Sequence, residues 1–133
     1  MIRAVIDTNV IVAALLSPHA DSATVRSLAA IVDGKAEALV SPEILAEYRA
    51  VLSRAKFGFP AERVASVLKV FERFGKATLP VRHNSPMLDE KDRLFYEVAL
   101  AEPDAHLVTG NLKHYPTSPI VVTPAQFCDL LGV

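Results

Sequence analysis

Short apolar runs alternate with longer amphipathic segments along the chain. That alternation predicts strands interleaved with helices around a parallel sheet. The first run, Ile2 to Ile6, stops on Asp7-Thr8-Asn9 before apolar residues resume as Val10-Ile11-Val12. The break marks a strand end and a helix start, and the helix is expected from Thr8 to Leu16, stopping at Ser17-Pro18. A second helix is expected from Ser22 to Asp33, where Val25, Leu28, Ala29 and Val32 recur at helical spacing and Gly34 is a plausible stop. Ala36 to Val40 reads as the second strand. Ser41-Pro42-Glu43 then offers a cap, a proline at the first helical position and an acid in the first turn, opening a helix to Arg54. Lys56 to Pro60 reads as a loop, and Ala61 to Phe74 as an amphipathic helix ended by Gly75. The third strand is expected from Ala77 to Val81, a loop from Arg82 to Met87, and a helix from Asp89 to Leu100. Ala105 to Val108 and Ile120 to Val122 read as the last two strands, separated by an irregular stretch with room for one helical turn. Thr123-Pro124-Ala125-Gln126 has the form of a capping box at the start of a final helix.

Composition narrows the function classes. A chain of 133 residues, half of them hydrophobic, fits one domain with a sizeable core. The net charge of -1 excludes a protein that binds nucleic acid through bulk positive charge; such contacts would need a local patch or a metal. Cys128 is the only cysteine, so no intrachain disulfide forms, and a reducing, cytoplasmic setting is expected. Neither a signal-peptide pattern nor a membrane-length apolar run is apparent.

Four residues stand at the carboxyl ends of expected strands or in the helices adjoining them: Asp7, Glu47, Asp92 and Asn111. Each has an ordinary explanation. Asp7 suits a helix N-cap, Glu47 a surface position beside the apolar stripe, Asp92 the positive end of a helix dipole, and Asn111 a turn. Together they carry more weight, because the carboxyl ends of parallel strands share one rim, where ligands bind. Three carboxylates on one rim repel each other unless a cation is present. Oxygen donors without Cys or His point to Mg²⁺ or Mn²⁺, and no histidine pair has zinc-ligand spacing. Thr8, Asn9 and Thr109 are candidates to orient ligands or water, and equally serve as caps or turn residues. Arg49, Lys91, Arg93 and Lys113 lie near the rim as candidate phosphate contacts, or as plain solvated charges. His114-Tyr115 follows Asn111 and could stack on a substrate or pack within its loop.

At these residues the chain resembles the PIN-domain family, and most of all the VapC-like toxins of prokaryotic type II toxin–antitoxin modules. The carriers are Val5-Ile6-Asp7-Thr8-Asn9-Val10, Glu47 in Ser41-Pro42-Glu43-Ile44-Leu45-Ala46-Glu47, Asp92 in Asp92-Arg93-Leu94-Phe95-Tyr96-Glu97-Val98-Ala99, and Leu107-Val108-Thr109-Gly110-Asn111. The resemblance extends over essentially the whole chain, including its ending Ile120 to Phe127. It implies a three-layer α/β/α fold with a five-stranded parallel sheet, and a Mg²⁺- or Mn²⁺-dependent ribonuclease. Asp7, Glu47, Asp92 and Asn111 would be both its catalytic and its metal-binding residues. It also implies an RNA substrate, a cognate antitoxin and a homodimer. Many family members carry Asp where this chain has Asn111, so the site is one charge short. That departure keeps a second reading open: a PIN fold that binds RNA or protein with weakened or lost turnover. A P-loop nucleotide-binder and a dinucleotide fold are disfavoured, since neither GxxxxGK[ST] nor GxGxxG after the first strand occurs.

Overall fold

The computed structural model describes residues 1–133. Five strands, β1 (Ile2–Ile6), β2 (Ala36–Val40), β3 (Lys76–Ala77), β4 (His106–Val108) and β5 (Val121–Val122), form one parallel sheet in the order β3-β2-β1-β4-β5. The helices are α1 (Thr8–Leu16), α2 (Ala23–Val32), α3 (Pro42–Leu52), α4 (Ala61–Phe74), α5 (Arg93–Ala99) and α6 (Pro124–Leu131). The sheet and its helices make the expected three-layer α/β/α architecture. Helix α2 packs on β2, α1 and α6, while α5 packs on β1, β4 and α3. Covered strands need apolar residues throughout, and Ala4, Val5, Ile6, Leu107 and Val108 are wholly buried. No helix is long and apolar enough to cross a membrane.

The strand order fixes where a site can form. From β1 the chain steps outward to β2 and β3, then crosses back to place β4 on the other side of β1. The order therefore reverses between β1 and β4, and the crevice at such a switch point is where open α/β sheets bind ligands. Both strands end there in register, with Ile6 beside Val108.

Most expected elements form where the pattern places them. Ser22, Ser41 and Thr123 each cap a helix through the side chain, and Thr123 with Gln126 completes the capping box. Helix α3 ends at Leu52, two residues before Arg54, and the supposed loop after it holds a single 3-10 turn at Ala55–Phe57. Its two rings, Phe57 and Phe59, stack on each other with centroids 5.6 Å apart. The third strand is the main correction. It covers Lys76–Ala77, and the stretch expected to continue to Val81 leaves the sheet. Thr78 still donates to the Val40 carbonyl, but Pro80 has no N–H to extend a ladder, and Val81 donates to Glu97 of α5 instead. Leu79 is left 87% exposed as a result. The segment before α5 begins as a 3-10 turn, Glu90–Asp92, capped by the Asp89 side chain.

Tyr48 ties α3 to the sheet. Its ring is wholly buried, 4.9 Å from that of Phe71 and 6.2 Å from that of Phe95, and its hydroxyl donates to the Ile6 carbonyl at 2.5 Å. Burial, followed by the nearby Asp7 charge, holds that hydroxyl well above the usual phenol range, so it stays a donor. Gly75 closes the opposite connection, between α4 and β3. A Cβ added there would overlap the Phe71 carbonyl oxygen and press on Val40 at 3.0 Å. Gly75→Ala is therefore expected to cost about 1–3 kcal/mol through overpacking, seen as a thermal midpoint several degrees lower. An unchanged midpoint would show that the helix end adjusts freely.

Candidate functional site

Asp7 follows the last residue of β1 and is only 5% exposed. Its backbone N–H continues the ladder to Val108, which fixes the carboxylate over the switch point. The side chain is the N-cap of α1: Oδ1 accepts from the Asn9 N–H at 3.2 Å. Oδ2 accepts from the Thr109 hydroxyl at 3.0 Å and the Tyr115 hydroxyl at 2.7 Å. Capping and site formation therefore coexist in one residue. Three of about four acceptor positions on the carboxylate are filled by neutral donors.

Thr109 stitches the two strand ends together. Its hydroxyl donates to Asp7 and accepts from the Asn111 N–H at 3.1 Å and from Asn9 Nδ2 at 3.4 Å. One donor and two acceptor positions are all that a hydroxyl has, so Thr109 is saturated. Asn9 closes the loop by accepting from the Gly110 N–H at 3.1 Å. Asn9 and Thr109 thus act as positioning residues between the β1 and β4 turns. Thr8 is buried and its hydroxyl has no hydrogen-bond partner.

Asp92 stands where the 3-10 turn meets α5, with its side chain 16% exposed. Burial and then the Asp7 charge push its carboxyl up to about 6, against the opposing pull of His114. His114 Nδ1 lies 3.0 Å from Asp92 Oδ2. Consecutive residues of the chain thus hold the two acids: His114 holds Asp92, and Tyr115 holds Asp7. Tyr115 is 6% exposed, and burial followed by the Asp7 charge raises its hydroxyl far above the phenol range, so it remains a donor. The pair therefore braces the site. The reach spans more than a hundred positions, which no local pattern announces; the one available clue was the room for a helical turn, realised as the 3-10 turn Leu112–His114.

The remaining expected residues are less closely gathered. Glu47 is half-buried on α3, one residue before the Tyr48 anchor, and is a partner of neither Asp7 nor Asp92. The half-buried Asn111 contributes its N–H to Thr109, and its side chain caps nothing. No three His, Cys, Asp or Glu side chains form a metal-binding group. Among the basic candidates, Arg93 has four of its five donors engaged: it grips Glu90 at 2.6 and 2.8 Å and donates to the His83 and Ser85 carbonyls. It straps the preceding loop to α5 and is not free for phosphate. Arg49 faces Glu72 at 3.7 Å on the surface.

The donor chemistry fits a hard divalent cation. Two carboxylates lie close enough that the Asp7 charge raises the cost of ionising Asp92, and neither is paired with Lys or Arg. In chelator-treated protein the sign of the pH effect follows from the raised Asp92 carboxyl. The folded state holds that proton more tightly than the unfolded chain, so stability falls as pH rises from about 4 through 6. Asp92→Asn is expected to flatten that fall and to be the more stable protein at pH 7, by about 1 kcal/mol after solvent screening. Urea titrations at pH 4 and 7 measure this; equal slopes with pH would refute it. Tyr115→Phe is expected to lose about 1.5–3 kcal/mol, the range for a hydrogen bond to a charged group.

A family model of the PIN domain matches residues 3–113, a span that includes Asp7, Glu47, Asp92 and Asn111 and stops just before the His114-Tyr115 brace. No curated protein matches the chain in a sequence comparison. The match covers most of the chain and agrees with the five-stranded parallel sheet and its switch-point acids, and the chain belongs to the PIN-domain family, whose members are generally nucleases.

Proposed function

We propose that this protein is a metal-dependent endoribonuclease, that residues 1–133 form a single nuclease domain, and that it serves as the toxin of a toxin–antitoxin module. The observation that carries the reading is the pair of carboxylates, Asp7 and Asp92, neither paired with Lys or Arg, at the switch point of a PIN-domain sheet. Asp7 and Asp92 would hold Mg²⁺ or Mn²⁺, with Glu47 and Asn111 completing the set. A bound divalent cation supplies charge neutralisation at a phosphodiester and a more acidic water. The chain's own part is to hold the two carboxylates in place: Thr109 and Tyr115 fix Asp7, and His114 fixes Asp92. Thr8 is a candidate to orient water, since its hydroxyl lacks a partner. Without a cation the two acids repel the phosphodiester that faces them, so binding of the strand across this pair depends on metal.

The partners proposed with this function are an RNA substrate, a small antitoxin protein and a second copy of the chain, in the cytoplasm. The apolar cleft lined by Leu28, Ile31, Val32, Val67, Val70 and Phe71, beside the half-exposed Phe74, supports a protein partner. A second reading rests on a specific observation: no three His, Cys, Asp or Glu side chains form a metal-binding group, and Asn111 is neutral. On that reading the fold binds RNA without turnover.

Purified protein incubated with single-stranded and structured RNA separates these. Cleavage is expected with Mg²⁺ or Mn²⁺, is abolished by EDTA, and falls on the order of 100-fold or more in Asp7→Asn. Cleavage indifferent to EDTA would sink the metal mechanism. RNA binding without cleavage, together with no Mn²⁺ binding by calorimetry, would establish the second reading.

A further inference from the structure

The segment that braces the two acids also builds a cavity. The loop between β4 and β5 borders an open pocket of about 420 Å³, within the size range of small-molecule sites. Leu112 and Pro116 give it apolar walls, Thr117 and Ser118 bring short hydroxyls, and Lys113 is the one charged group. No carboxylate lines it, although the adjoining site is acidic. Tyr115 belongs to both places: its ring helps line the cavity while its hydroxyl reaches Asp7. Three consecutive residues thus look three ways, Lys113 to the cavity, His114 to Asp92 and Tyr115 to Asp7.

We propose that this cavity binds one nucleotide of the RNA strand, next to the phosphodiester facing Asp7 and Asp92, and so sets where the strand is cut. The inference rests on the ribonuclease reading and adds to it the position that reads sequence. The chemistry matches a nucleotide part by part. Apolar walls and the Tyr115 ring take the faces of a base, short hydroxyls meet its polar edge or the ribose, and a lysine supplies a point charge for an adjoining phosphate. The absence of acids removes the repulsion that such an anion meets elsewhere on this rim. Because Tyr115 is shared, an occupant of the cavity touches the group that holds Asp7.

The test uses the full chain in two measurements. In the first, amide NMR spectra are recorded with AMP, CMP, GMP, UMP or inorganic phosphate, all in EDTA. Nucleotides at millimolar concentration are expected to shift the amides of Leu112 to Ser118, at least one base more strongly than the others, and phosphate alone is not expected to reproduce the pattern. In the second, cut sites in a random RNA pool are mapped by sequencing. The native protein is expected to prefer one base at a flanking position, and Thr117→Trp, which fills the cavity, should reduce that preference roughly tenfold, the scale of a lost pocket contact. Lys113→Glu, at an exposed side chain, provides the same test should Thr117→Trp fail to fold. No shift in this loop, shifts reproduced by phosphate alone, or a preference untouched by a folded variant would overturn the proposal. Nucleotide binding in the loop without any RNA cleavage would remove the ribonuclease reading and leave the nucleotide site standing. Cleavage without nucleotide binding would do the reverse.

Discussion

A carboxylate that is almost fully buried has to be satisfied, and much of this structure follows from satisfying Asp7. Desolvating an anion costs several kcal/mol, and no arginine or lysine offsets it here. Three hydrogen bonds from neutral groups do so in part, at about 1.5–3 kcal/mol for each bond to a charged group. Those donors come from the first turn of α1, the end of β4 and the loop beyond it. Meeting that demand places β4 beside β1, orients the Thr109 hydroxyl and draws Tyr115 inward. The second acid is itself partly buried and sits beside that charge, and burial first, then the charge, hold its proton up to about 6. The site is therefore rigid where its acids are anchored and electrostatically unsatisfied where they meet.

What could be read from the chain divides along the range of the interactions involved. The ends of β1, α1, α2 and α4 were legible because strand burial, serine caps and helical spacing act over a few residues. The capping box at Thr123 and Gln126 is such a case. The β3 edge is not legible, because alternating apolar residues continue past Ala77 whereas Pro80 and the competing Glu97 carbonyl end the pairing. The rim itself was legible, since Asp7 and Asp92 could be assigned to strand ends and helix starts. The bracing of the rim was not. Nothing around Tyr115 indicates that its hydroxyl meets a carboxylate 108 positions earlier. Arg93 gives the opposite lesson: its position suggested a phosphate contact, yet Glu90 and two carbonyls occupy its donors.

Asn111 and Glu47 show how far chemistry can be divided within one rim. Asn111 joins the turn through its backbone, so its contribution to architecture is independent of the side chain. An aspartate there would use the same N–H bond and add a charge to an already negative neighbourhood. Glu47 is placed indirectly, through Tyr48, whose hydroxyl binds the carbonyl immediately before Asp7. Movement of α3 would therefore register at Ile6 and Asp7 together.

The Thr109 hydroxyl donates to a carboxylate 102 positions earlier in the chain, and this has a consequence for biosynthesis. At about 5–20 residues per second, the interval between making Asp7 and making Thr109 is on the order of 5–20 s. Throughout that interval the emerging polypeptide has β1 and α1 but no partner strand for the switch point. The brace arrives six residues later still, with Tyr115. A nascent or prematurely terminated chain therefore lacks the assembled acid pair, and translation itself delays the onset of any activity that the pair supports.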